Sequence, residues 1–208
     1  MKFRPTLLAL GLGILATAVN GTAAADGNAN EGKTLAYTCL GCHGVPNYKN
    51  AYPSYSVPRL GGQHAKYIAA ALKEYQTGDR SHSTMHAQAT TLNDQDRADI
   101  ASYLHGAPLT PGKETVGKPP EAVQTCAACH GTDGAKTIND DYPVLAGQQA
   151  DYIVNALKEY KTGKRKNPVM AGVVAGVKEE DFPALGQFFS QQQGLCGSEV
   201  ITKQGKCR

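Results

Sequence analysis

Two five-residue stretches, Cys39-Leu40-Gly41-Cys42-His43 and Cys126-Ala127-Ala128-Cys129-His130, constrain this chain more than any other feature. Each reads C-x-x-C-H. At that spacing two thiols can form thioethers with the vinyl groups of one porphyrin, and the histidine that follows lies under the ring, where it can bind the iron. A zinc ribbon keeps its two cysteine pairs about 15–20 residues apart, whereas these pairs are 87 residues apart. A thioredoxin-like redox pair or a structural disulfide needs neither a second copy nor the histidines. The expectation is two covalently bound haem c groups. Cys39, Cys42, Cys126 and Cys129 would be the attachment points, and His43 and His130 the proximal iron ligands.

The two motifs belong to an internal repeat. Pro58 to Met85 aligns on Pro143 to Met170 at a constant offset of 85, with sixteen identities in twenty-eight positions. Leu72-Lys73-Glu74-Tyr75 recurs as Leu157-Lys158-Glu159-Tyr160, and matched prolines and glycines extend the likeness beyond one helix. The chain is therefore expected to hold the same small domain twice.

Each copy reads as helical, which makes the chain all-α. A short helix over residues 28–38 leads into Cys39. A loop rich in Pro, Gly and Tyr follows, over residues 44–62. From Gln63 to Thr77, the positions Tyr67, Ile68, Ala71, Leu72 and Tyr75 fall at helical spacing, and Gly78 stops that helix. A loop is expected to carry Met85. A last helix starts at Asn93, a good N-cap with Asp94 and Asp96 in its first turn, and buries Ile100, Tyr103 and Leu104. In the second copy Leu185, Phe188 and Phe189 play the same part, and Pro183 fits only in a first turn.

The ends and the middle of the chain differ from this pattern. Residues 1–25 read as a signal for export. Lys2 and Arg4 form the basic start, Leu7 to Val19 an apolar run too short to span a bilayer, and Ala23-Ala24-Ala25 a cleavage site. The expected organisation is a first domain over 26–107, a linker over 108–120 with little to bury, and a second domain over 121–208. The last stretch ends in a tail holding Cys196 and Cys207. In the oxidising compartment that export implies, those two default to a disulfide. The net charge of +3 falls to about +1 without Lys2 and Arg4, and gives no support to nucleic-acid binding.

The repeat also selects a sixth iron ligand. Met85 and Met170 correspond at the offset of 85, 42 and 40 residues after their histidines. The other histidines have no counterparts: His64 matches Gln149, His82 matches Asn167, His86 matches Ala171 and His105 matches Ser190. His/Met ligation is expected for each haem, with His82 or His86 as the alternative in the first domain. Pro58 and Pro143 either hold the proximal imidazoles through a backbone carbonyl or only punctuate a turn. The run Lys161, Lys164, Arg165 and Lys166 reads as a solvated helix end, with an acidic partner or haem propionates as the other readings.

These residues together resemble the diheme cytochromes c4. The features that match are the leading segment, both C-x-x-C-H motifs, the Pro-x-Leu-x-Gly-Gln stretches at Pro58–Gln63 and Pro143–Gln148, and the two lone methionines. The resemblance covers about residues 26–193. It implies two tandem class I cytochrome c domains facing each other about a pseudo-twofold axis, with haem propionates near the interface. It also implies a periplasmic electron carrier, not an enzyme, serving a terminal oxidase from an upstream cytochrome or copper protein, and compatible with peripheral membrane association. The competing expectation is an electron-accepting subunit of a dehydrogenase, such as a sulfide-oxidising flavocytochrome. A diheme peroxidase or thiosulfate dehydrogenase is disfavoured, because two matched methionines leave no open iron site. The Cys196–Cys207 tail departs from the family pattern, as does Pro119 where the first copy has Gly32.

Overall fold

The computed structural model describes residues 26–52 and 54–207; the expected export segment, 1–25, lies outside the described residues. The described residues are helical, with isolated antiparallel bridges in place of any sheet. In the first copy, α1 (Ala29–Leu35) and α2 (Leu40–His43) precede the long helix α3 (Ala65–Thr77). After them come α4 (Ser83–Ala89) and α5 (Asp94–His105). The second copy supplies α6 (Val123–His130), α7 (Ala150–Thr162), α8 (Pro168–Ala175) and α9 (Phe182–Ser190), and a tail helix α10 (Ser198–Gln204) ends the chain.

Local signals account for most of these boundaries. Gly78 and Gly163, both left-handed at φ 80° and 73°, end α3 and α7 in a conformation that a side chain resists. Asn93 and Asp96 form a reciprocal capping box at the start of α5. Pro183 sits in the first turn of α9, where its missing N–H costs nothing. The apolar stripes then pack α3 on α5 and α7 on α9, with Ile68, Leu72, Ile100 and Leu104 buried in the first copy. Tyr103 is only half-buried. Leu185, Phe188 and Phe189 are buried in the second.

Three expectations change. Met85 and Met170 lie on helices, not in loops. His82 Nδ1 accepts from the Met85 N–H at 3.2 Å, and Asn167 Oδ1 accepts from the Met170 N–H at 3.0 Å. These matched N-caps start α4 and α8. The linker is anchored: Leu109 packs with Val144 and Leu195, and the Gln192 side-chain amide bonds both N–H and C=O of Val116. The tail crosses to the first copy. Cys196 exchanges two backbone hydrogen bonds with Gly61, and the Ala107 N–H donates to Gly205 O at 2.9 Å. The Cys196–Cys207 disulfide expected from the sequence closes this tail.

The repeat is also broken at its start. Helix α1 crosses α5 so closely that a Cβ on Gly32 would stand 1.9 Å from Asp99 O. No helix matches α1 in the second copy, where Pro119 and Pro120 stand before α6. Gly32→Ala is expected to cost about 3 kcal/mol, the upper part of the overpacking range, because backbone must move. Gly176→Ala is the control: its Cβ would meet nothing nearer than 3.8 Å, and its cost should lie within about 0.5 kcal/mol. Denaturant unfolding of both holoproteins, followed by circular dichroism, measures the difference.

Candidate functional site

Both C-x-x-C-H motifs fold as helix. Cys39 caps α2, and Cys126, Cys129 and His130 lie within α6. Residues three and four apart share a helix face, so in each copy two sulfurs and one imidazole point the same way. His43 Nδ1 stands 3.0 Å from Pro58 O, and His130 Nδ1 stands 2.8 Å from Pro143 O. A carbonyl only accepts, so each Nδ1 carries the hydrogen and each Nε2 keeps its lone pair. Burial pushes the pKa of both imidazoles down, against the opposing pull of those carbonyls. The neutral ring, the form that binds a metal, is therefore favoured. Of the two readings of Pro58 and Pro143, the structure has the carbonyl clamp.

All eight predicted site residues line one continuous cleft of about 530 Å³. Cys39, Cys42, His43 and Met85 come to it from the first copy, and Cys126, Cys129, His130 and Met170 from the second. The four cysteines are in no disulfide. Burial raises the thiol pKa of Cys39 and pushes that of Cys126 up to about 11. A redox C-x-x-C needs the opposite shift. Of the alternative ligands, His82 lines the cleft and His86 does not. His82 spends Nδ1 as an acceptor in capping α4, so its hydrogen sits on Nε2 and neither nitrogen offers a lone pair. His86 is exposed and turns Nδ1 to Tyr75 O at 2.8 Å.

The two copies meet through matched contacts. Gln63 and Gln148 each bond the other copy's backbone. Arg80 and Arg165 pair as an antiparallel bridge, and both are 4% exposed. Arg80 pairs with Glu74 and donates to Tyr67 Oη at 3.1 Å; Arg165 donates to Tyr152 Oη at 3.2 Å. Arg165 Nε is 3.3 Å from Glu159 Oε2 but poorly aimed at it, and its N–H is left without an acceptor. Burial pushes the Tyr160 phenol up to about 12 and raises Tyr75 as well, so these hydroxyls keep their protons.

The sequence reading missed this joint. It placed Arg165 in a solvated basic run, yet Arg165 is buried. Lys166 pairs with Asp79 of the first copy at 3.4 Å, and Lys161 donates to Val177 O at 3.0 Å. The signal was present, because Tyr67, Glu74, Tyr75 and Arg80 are all identical to their counterparts. A charged residue is read as exposed by default, and here both arginines are buried against tyrosines and glutamates.

The residues fit two haems. The cleft walls carry apolar side chains and paired thiols, and they include the buried guanidinium groups of Arg80 and Arg165, the latter with an unpartnered N–H, which suit propionate carboxylates. Among the described residues no three His, Cys, Asp or Glu side chains gather as a metal-binding cluster, and no helix is long and apolar enough to cross a membrane.

The sequence model of the family described as Cytochrome c matches twice, over residues 29–108 and 118–193. Cytochrome c4 of Pseudomonas aeruginosa is 28% identical over 198 residues, 88% of this chain and 96% of that protein. A thiosulfate dehydrogenase electron acceptor of Stutzerimonas stutzeri is 28% identical over 184 residues, 79% of this chain and 82% of the relative. The solved cytochrome c4 of Acidithiobacillus ferrooxidans superposes with a TM-score of 0.58 at 26% identity, covering 74% of this chain and 98% of that one. Two such regions in tandem, both lining a shared cleft, account for two covalently bound haem c groups and for the pseudo-twofold architecture. The chain belongs to the cytochrome c family, as a diheme electron-transfer protein of the cytochrome c4 kind.

Proposed function

We propose that the protein is a periplasmic electron carrier, exported by residues 1–25 and not itself an enzyme. Cys39 and Cys42 attach one haem, and Cys126 and Cys129 the other; His43 with Met85, and His130 with Met170, are the axial pairs. Each haem supplies a one-electron Fe(III)/Fe(II) couple, raised in potential by a thioether ligand. The chain's residues keep that couple dry and rigid. The observation that carries this reading is the matched geometry of the two copies, each with a neutral imidazole clamped by a proline carbonyl and a methionine on a capped helix. The only histidine that competes within the cleft, His82, is engaged as a cap.

The acceptor we propose is a terminal respiratory oxidase, fed by an upstream cytochrome or copper protein. A second reading, the electron-accepting partner of a dehydrogenase, is favoured by the likeness to a protein named thiosulfate dehydrogenase electron acceptor. Rapid mixing separates the two readings. Pre-reduced holoprotein should be oxidised by oxidase-containing membranes within the turnover time of the oxidase. Slow oxidation there, with fast reduction by a substrate-charged dehydrogenase and co-purification with it, would favour the second reading.

A further inference from the structure

The peptide unit that clamps each proximal histidine is itself held by the other copy. Pro58 O accepts from His43 at 3.0 Å. The N–H of that same peptide unit, on Arg59, donates to Gln148 Oε1 at 2.9 Å, and Gln148 Nε2 returns a bond to Arg59 O at 3.0 Å. The arrangement recurs across the pseudo-twofold axis. Pro143 O accepts from His130 at 2.8 Å, the Val144 N–H donates to Gln63 Oε1 at 2.9 Å, and Gln63 Nε2 donates to Val144 O at 3.0 Å. Both glutamines are buried, at 3% and 5% exposure. Their Oε1 atoms also accept from their own chain, from the His64 N–H at 3.1 Å and the Gln149 N–H at 3.0 Å. Each amide is thereby locked in one orientation.

We infer that Gln63 and Gln148 are cross-domain positioning residues, each setting the electron donation of the axial histidine in the opposite copy through one shared peptide unit. The inference rests on His43 and His130 being iron ligands. Donation by the peptide N–H shifts electron density towards the carbonyl oxygen of the same unit, and linked hydrogen bonds strengthen one another by about 10–30% each. The carbonyl then draws harder on the Nδ1 hydrogen, and the imidazole gives more density to the iron through Nε2. Fe(III) is stabilised over Fe(II), and the potential of that haem falls. Docking of one half therefore tunes the iron of the other.

The test uses holoprotein and two substitutions at one position, read by spectroelectrochemistry. Gln148→Leu removes the acceptor and should raise one midpoint potential while leaving the other unchanged. Gln148→Glu, above neutral pH, keeps an acceptor and adds charge, and should lower the same wave. Gln63→Leu should raise the other wave. Equal shifts of both waves, a shift of the same sign from Leu and Glu, or no shift at all would overturn the inference. Should the leucine variants fail to fold, the glutamate variant decides by the sign and selectivity of its shift. The sulfur-to-iron charge-transfer band at the red edge of the visible spectrum reports methionine ligation independently. If it persists while the potentials stay still, the tuning is refuted and the ligation stands. If the unmodified protein lacks it, the methionine part of the proposed function fails, while the inference, which needs only His43 and His130 as ligands, is still decided by the potentials.

Discussion

Met170→Ala in the holoprotein is expected to remove about half of the sulfur-to-iron charge-transfer band and to lower the potential of one haem. Axial ligands command haem potentials over roughly 0.8 V, and exchanging a thioether for water or a stray nitrogen base should use a sizeable part of that range. Met85→Ala should remove the remaining half and shift the other wave. The two effects are expected to be independent, since Met85 and Met170 belong to different copies and lie on separate capped helices. Loss of the whole band, or of none, from either substitution would contradict one methionine per haem.

The second large effect concerns the tail. Replacing Cys196 and Cys207 together by serine is expected to destabilise the protein by about 3 kcal/mol, the loop-closure value for a bridge across eleven residues. The consequence should extend beyond the terminus. Helix α10 covers Gly106 with Ile201, which is buried, and Cys196 bonds Gly61 in both directions. Because Gly61 lies two residues before Gln63, releasing the tail should loosen the joint between the copies as well as the chain end. Faster hydrogen exchange at Gly61 and Ala107, with little change in α7, is the expected signature. Thiol counting on unfolded, unreduced holoprotein should find no free cysteine. Two reactive thiols would mean that the clasp does not form.

Much of this molecule was legible in its sequence, and the reason differs by element. The haem motifs, the paired methionines and the boundaries of α3 and α5 are local. Spacing, Gly78 and the Asn93–Asp96 box carry them within a few residues. That the methionines sit on helices was legible too, in Asn167 followed by Pro168, a cap before a first-turn proline; the loop reading overlooked it. The buried Arg80 and Arg165 were hidden because charge implies exposure by default, and only their identity within the repeat hinted otherwise. The tail's docking on the first copy had no local signal at all, since Gly61 and Cys196 are distant in sequence and meet only when the two halves are assembled. Within the basic run only Arg165 departs from the solvated reading; Lys161, Lys164 and Lys166 are exposed, and Lys166 meets Asp79 only across the joint.

Carbon monoxide added to the fully reduced holoprotein tests the central claim, two closed six-coordinate irons in an electron carrier, most directly. It binds ferrous haem only where a coordination position is open or readily vacated. With His43 and Met85 on one iron and His130 and Met170 on the other, the reduced spectrum should remain unchanged near neutral pH. Conversion of either haem to its carbon monoxide adduct would contradict the account, and would point to a substrate-binding iron and hence to an enzyme.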